Sequence, residues 1–260
     1  MRSDAYRGFI DRLTANLQAD DRVQGLVLLG STAGQSHPPD EWSDHDFFVI
    51  TASGAQEDFR TCFDWLPDHD EIMLTVRETS HGLNVLYGSG HILEYAVFDL
   101  AEIALAKAND YRVAFDRGGV AAAMQTIATA PHTDTYTRDN LRRDMGMFLC
   151  LLVIGAGRVA RGEAISGQVF IRSYALGHLL AALIHTVEGE NASQLDNLDP
   201  LRRFEQVFPQ IGEEINAALM LPPTEAALGL LDVYERHLHE VEDYSEATVK
   251  VVRTFLLRNP

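Results

Sequence analysis

Residues 25–51, GLVLLGSTAGQSHPPDEWSDHDFFVIT, constrain the fold more tightly than any other stretch of the chain. The apolar run Leu26-Val27-Leu28-Leu29 ends at Gly30-Ser31, and Asp44-His45-Asp46 opens a second apolar run, Phe47-Phe48-Val49-Ile50. Both runs read as strands, over 24–29 and 46–51. Residues two apart on a strand share a face, so Asp44 and Asp46 project together while His45 points the other way, as a partly buried core residue. Two neighbouring carboxylates repel each other, and a bound cation is the usual remedy. Glycine at the turn lets backbone approach a ligand closely, and the amides and hydroxyl of Gly30-Ser31 can hold phosphate oxygens. Paired carboxylates beside such a turn point to chemistry on a nucleoside triphosphate.

The remaining pattern divides the chain. Residues 4–18 repeat Tyr6, Phe9, Ile10, Leu13 and Leu17 at helical spacing. Further strands are expected at 71–76, 82–87, 92–98 and 111–115, the last before the turn Asp116-Arg117-Gly118-Gly119. Beyond residue 131 strand signals stop, and helices are expected at 137–161, 164–188, 200–220, 223–240 and 243–257. Strands first and helices second make an α+β protein: a mixed sheet with helices over 1–131, then an all-α helical bundle over 132–260. The polar segment His132-Thr133-Asp134-Thr135 is the expected boundary. The helix from Arg138 is apolar on nearly every face between Met145 and Val159, so it should run through the middle of the bundle, with Gly155 and Gly157 allowing close helix approach. Gly162 reads as its C-terminal cap.

Composition narrows the function. The net charge is −17 with no long Lys/Arg cluster, which argues against a nucleic-acid substrate, since such an enzyme needs a basic track for the phosphate backbone. Acidic excess suits attraction of a cationic small molecule, and equally well simple solubility. Cys62 and Cys150 lack metal-ligand spacing and read as reduced core residues of a cytoplasmic protein. Met1 leads directly into RSDAYRGFIDR, with no expectation of a signal peptide. The apolar run Met145–Ala156 is too short to span a membrane.

The strand, the Gly-Ser, the short loop and the Asp-x-Asp leading the next strand resemble the signature of the DNA polymerase β-like nucleotidyltransferase superfamily. Twelve residues separate Ser31 from Asp44, slightly more than is common there. The helical second half and the turn Arg161-Gly162-Glu163 resemble the antibiotic nucleotidyltransferases, the lincosamide and aminoglycoside enzymes. The resemblance implies magnesium-dependent transfer of a nucleoside monophosphate to a hydroxyl of a small, cationic acceptor, with release of pyrophosphate and antibiotic resistance as a biological role. It also implies a homodimer. Two magnesium ions would be held by Asp44, Asp46 and a third acid. Gly30 and Ser31 would hold the β and γ phosphates of the nucleotide, ATP or another, with Thr32 assisting. Arg161, or Arg158, at the end of the long helix could meet the triphosphate, or simply suit the helix dipole. A regulatory, antitoxin-like nucleotide-binding module without an acceptor is the alternative, although such modules are usually much shorter.

Two residues compete for the third acid. Glu94 and Asp99 lie five apart, so along one regular strand they face opposite ways and only one can join Asp44 and Asp46. Asp99-Leu100-Ala101-Glu102 reads as a capping box. Glu94 sits among apolar neighbours in mid-strand, where an unpaired carboxylate is costly. Glu94 is therefore the expected metal ligand, and a candidate general base. His178 and His185, on an apolar helix, read as core residues.

Overall fold

The computed structural model describes residues 3–34, 38–108, 110–129, 136–195, 199 and 201–258. The expected boundary at 132–135 lies outside them. The chain separates into two compact units, Met1–His132 and Thr133–Pro260. The architecture is α+β, with a mixed sheet and helices followed by helices alone.

In the first unit, strands β1 (Val23–Leu29), β2 (His45–Thr51), β3 (Ile72–Arg77), β4 (Gly82–Tyr87), β5 (Ile92–Phe98) and β6 (Tyr111–Asp116) form one sheet in the order β3-β4-β5-β2-β1-β6. All neighbours are antiparallel except β2 and β5, which run parallel with Asp46 opposite Glu94. Alternation decides what each face buries. Phe47, Val49, Leu93, Tyr95, Val97, Leu83 and Val85 pack under the opening helix α1 (Ser3–Gln18), against Phe9, Leu13 and Leu17. On the opposite face a smaller core gathers Ile50, Ala96 and Phe98 with Val120, Met124 and Ile127 of the helix Val120–Thr129. That second core covers only one end of β2 and β5. The other end of the same face, carrying Asp46 and Glu94, stays partly open to solvent.

The second unit buries one apolar core built on the helices Arg138–Ala160, Ala164–Thr186 and Pro223–Leu238. Thr137 caps the first with a reciprocal Thr137–Asn140 pairing. Its far end closes as expected on Gly162 at φ 81°, where the amides of Gly162 and Glu163 donate to Val159 O and Arg158 O. Asp144 is buried, accepting from Tyr136 Oη at 2.9 Å and from His178 Nδ1 at 2.9 Å. Ala164–Thr186 has the length and mean hydropathy, 1.2, of a membrane span, but its Ile171, Ala175, Leu179 and Leu183 are packed into the bundle core.

Four expectations need correction. The stretch 200–220 is no single helix: Phe204–Val207 and Pro209–Leu219 are separate, because Pro209 cannot donate to a preceding turn and holds Phe208 at φ −126°, ψ 66°, outside the helical region. Cys62 and Cys150 are exposed, not core; Cys62 falls in extended backbone just past the short helix Gln56–Thr61, and Cys150 occupies an outer face of its helix. For the same reason Arg138–Ala160 is not buried all round and leaves Met147, Cys150 and Ile154 at the surface. Close helix approach belongs to Gly155 with Gly167, not to Gly157. A Cβ on Gly155 would fall 2.6 Å from Ile171 Cγ1 and 3.0 Å from Gly167 O, whereas on Gly157 its nearest contact would be 3.9 Å.

Gly155→Ala should therefore cost about 1–3 kcal/mol through overpacking against a backbone that cannot yield. Gly157→Ala should be neutral or gain up to about 1 kcal/mol from helix propensity. Chemical denaturation of both variants checks the pair, and equal effects would remove the assignment.

Candidate active site

The site is built at one end of the sheet, where β1 runs out and β2 and β5 begin. Parallel register sets Asp46 beside Glu94, and Asp44 lies two residues up the same face. One carboxylate oxygen from each of Asp44, Asp46 and Glu94 can be chosen so that all three lie within 4.8 Å of one another. Three hard oxygen donors converging this closely could hold a divalent cation. The electrostatic cost of the cluster registers on Glu94, whose pKa is raised by partial burial first and then by the carboxylates of Glu78 and Asp44. Across the next strand Asn84 faces Glu94 and donates from Nδ2 to Glu78 Oε2 at 3.1 Å.

Gly30 follows β1 directly and takes φ 48°, which glycine adopts without strain. Its amide donates to Asp110 O at 2.9 Å. A Cβ there would point at Asp46 Oδ2, 3.6 Å away, so the turn lies directly against the acidic cluster. Ser31 is half-buried beside it, in the short helical turn Gly30–Ala33. Thr32 behaves differently from its two neighbours. It is buried and accepts the Asp46 amide at 2.9 Å. Tyr6 Oη donates to Asp44 O at 2.6 Å and lies 2.7 Å from Thr32 Oγ1. With the single Tyr6 proton committed to Asp44, Thr32 must donate to Tyr6, which leaves its hydroxyl no proton for a phosphate. Thr32 and Tyr6 thus fasten the Gly-Ser turn and the backbone of both aspartates to α1.

On the opposite face His45 is fully buried, stacked on Tyr6 at 3.7 Å. Its Nε2 lies 3.1 Å from Tyr6 O and its Nδ1 2.7 Å from His91 Nε2. Burial, and then the neighbouring His91, hold its pKa down to about 3. A neutral ring that donates to Tyr6 O and accepts from His91 satisfies both contacts.

The sequence brings together Asp44, Asp46, Glu94, Gly30 and Ser31, as the structure describes them. Asp99 lies apart from this cluster: its Oδ1 accepts the amides of Ala101 and Glu102 at 2.9 and 2.8 Å, while Glu102 Oε2 accepts the Asp99 amide at 3.3 Å. Those amide bonds lower the Asp99 pKa. Arg161 belongs to the second unit, where its Nε pairs with Glu163 Oε1 at 3.1 Å; Arg158 there lies over the Phe170 ring, 4.1 Å from its centroid. Contrary to the core positions expected for them, His178 is only half-buried, held by Asp144, and His185 is exposed, stacked on Tyr136, because the faces of the helix that carry them turn away from the bundle core. Tyr6, His91, Glu78 and Asn84 escaped the reading of the sequence. The helical spacing of Tyr6 marked it only as core, and no local pattern reveals a cross-strand partner.

No protein-family model matches the chain, and no curated protein matches it. Among solved structures it is similar to an aminoglycoside 6-adenyltransferase from Bacillus subtilis, over 97% of each chain, with 11% identity and a TM-score of 0.37. At that level of similarity the functional reading rests on the geometry of the site itself.

The buried His45 gives this unit an acid sensitivity. Its folded pKa lies below its unfolded value of 6.5. Below pH 6.5 the unfolded chain therefore binds a proton that the folded chain refuses, and stability falls as pH falls toward 3, by at most about 1.4 kcal/mol per pH unit. His45→Gln keeps an amide donor near the Nε2 position and should flatten the dependence of thermal stability on pH between 6.5 and 5 relative to the parent. Parallel slopes in the two proteins would acquit His45.

Proposed function

We propose that the protein is a nucleotidyltransferase of the DNA polymerase β-like kind, moving a nucleoside monophosphate from a nucleoside triphosphate to a hydroxyl of a small molecule. The observation that carries this reading is the convergence of Asp44, Asp46 and Glu94 directly against the Gly30 turn. Asp44, Asp46 and Glu94 would hold magnesium, which when bound offsets the charge building up on the attacking and leaving oxygens. Ser31 would present its backbone amide and hydroxyl to the outer phosphates, while Gly30, its own amide held by Asp110 O, leaves them room to approach the turn. Tyr6 and Thr32 keep that turn and the aspartates in fixed register, so that positioning precedes substrate binding. Glu94 has a second use. It is the most exposed of the three acids, on the open side of the sheet, where it could take the proton of the incoming hydroxyl. The acceptor in this reading is a hydroxylated, cationic compound of the aminoglycoside or lincosamide kind, attracted by the excess of acid.

The test is magnesium-dependent pyrophosphate release from ATP or GTP across a panel of aminoglycosides and lincosamides. Nucleotide binding without release for any acceptor would favour a regulatory nucleotide-binding module instead.

Asp44→Asn should abolish turnover while leaving the fold as stable as before or more so, since one repelling charge is gone. A thermal melt showing strong destabilisation would make Asp44 structural.

Glu94→Gln should nearly abolish transfer, whereas Asp99→Asn should keep it and cost about 1 kcal/mol from the weakened cap. The reverse pattern of activities would exchange their roles.

A further inference from the structure

We propose that Trp42 is the stacking platform for the nucleobase of the triphosphate, an inference that rests on the nucleotidyl-transfer reading above. Trp42 is 86% exposed, so its indole adds almost nothing to the core, yet the turn beneath it is well held. Asp40 Oδ1 accepts the Trp42 amide at 2.9 Å and the Ser43 hydroxyl at 3.0 Å, while Ser43 Oγ accepts the Asp40 amide at 2.9 Å. Two residues of chain span at most about 7 Å, which bounds the Cα separation of Trp42 from Asp44.

Direction follows from in-line displacement. With pyrophosphate leaving over Gly30-Ser31 at the end of β1, the line of reaction crosses β2 toward β5, and the attacking hydroxyl must arrive from the side of Glu94, Asn84 and Glu78. The nucleoside hangs from the same phosphorus across that line. On the sheet surface two directions remain, both along the strands. Inward, the core of Ile50, Ala96 and Phe98 under the helix Val120–Thr129 closes the way. Outward lies the turn that carries Trp42. An indole offers a flat π-face to any base, with no hydrogen-bond code, so this platform takes purines alike and does not select among them.

Trp42 and Trp65 are the two tryptophans of the chain, and Trp65 is partly buried against Phe47, Phe59 and Tyr95, so fluorescence separates them. The full chain in magnesium chloride is titrated with ATP, GTP and inorganic tripolyphosphate, by fluorescence and calorimetry, as wild type, Trp42→Ala and Trp42→Phe. Expected are quenching by ATP and by GTP, about tenfold weaker binding of both to Trp42→Ala, near-parental binding to Trp42→Phe, and equal tripolyphosphate binding by all three. Equal ATP binding by wild type and Trp42→Ala overturns the inference and leaves the nucleotidyl-transfer reading standing. A loss of tripolyphosphate binding in Trp42→Ala as large as its loss of ATP binding overturns it in favour of a phosphate contact. Absence of any nucleotide binding to the wild type sinks both.

Discussion

The parallel pairing of β2 with β5 is the constraint on which the site depends. Each strand alone contributes acids at surface positions, which is unremarkable. Register turns them into a cluster, because Asp46 falls opposite Glu94 and Asp44 lies one pleat away on the same face. A slip of one residue would send Glu94 to the face packed under α1 and bring Leu93 to the open one. Apolar burial forbids that slip: Leu93, Tyr95 and Val97 fill the α1 core with Phe47 and Val49. The hydrophobic pattern of two strands thus holds three like charges together against their own repulsion.

Support for the cluster comes from beneath. Tyr6 on α1 reaches Asp44 O and Thr32, His45 reaches Tyr6 O, and Thr32 accepts the Asp46 amide. These contacts run through backbone, hydroxyl and imidazole groups. They also explain why His45 lies between two acids without neutralising either. It faces the other side of the sheet, where burial keeps its ring uncharged.

Much of this was legible in the sequence, and the limits have physical causes. Period-two alternation sufficed to unite Asp44 with Asp46 and to part Glu94 from Asp99, since both judgements concern one strand at a time. The order of sheet and bundle followed from where strand signals end. Partnerships across strands were not legible: nothing local in 82–87 announces that Asn84 faces Glu94, because pairing is settled by the packing of the whole sheet. The setting of Thr32 was hidden for a related reason, its hydroxyl being engaged by a tyrosine 26 residues away. Cys62, Cys150 and Gly157 failed where composition stood in for direction. An apolar neighbourhood in sequence does not say which face of a helix a residue occupies, and Pro209 carried a stronger message than the helical spacing around it.

The chain carries a net charge of −17, and the reading above asks it to bind a polyanion. The two are reconciled by what the site offers. Phosphate oxygens would meet the Ser31 amide and hydroxyl at the Gly30 turn, donors that carry partial positive charge at no cost in net charge. The three carboxylates would make the same site attractive to a divalent cation, so nucleotide and cation must arrive as partners, each offsetting the charge that repels the other. An acidic protein then discriminates by charge in two ways at once. In this reading such a charge balance would repel free polyanions and draw a cationic acceptor toward the side of Glu94 and Glu78. The acidity that argues against one class of substrate is thus consistent with the other, and in this reading the same three carboxylates sit at the centre of both effects.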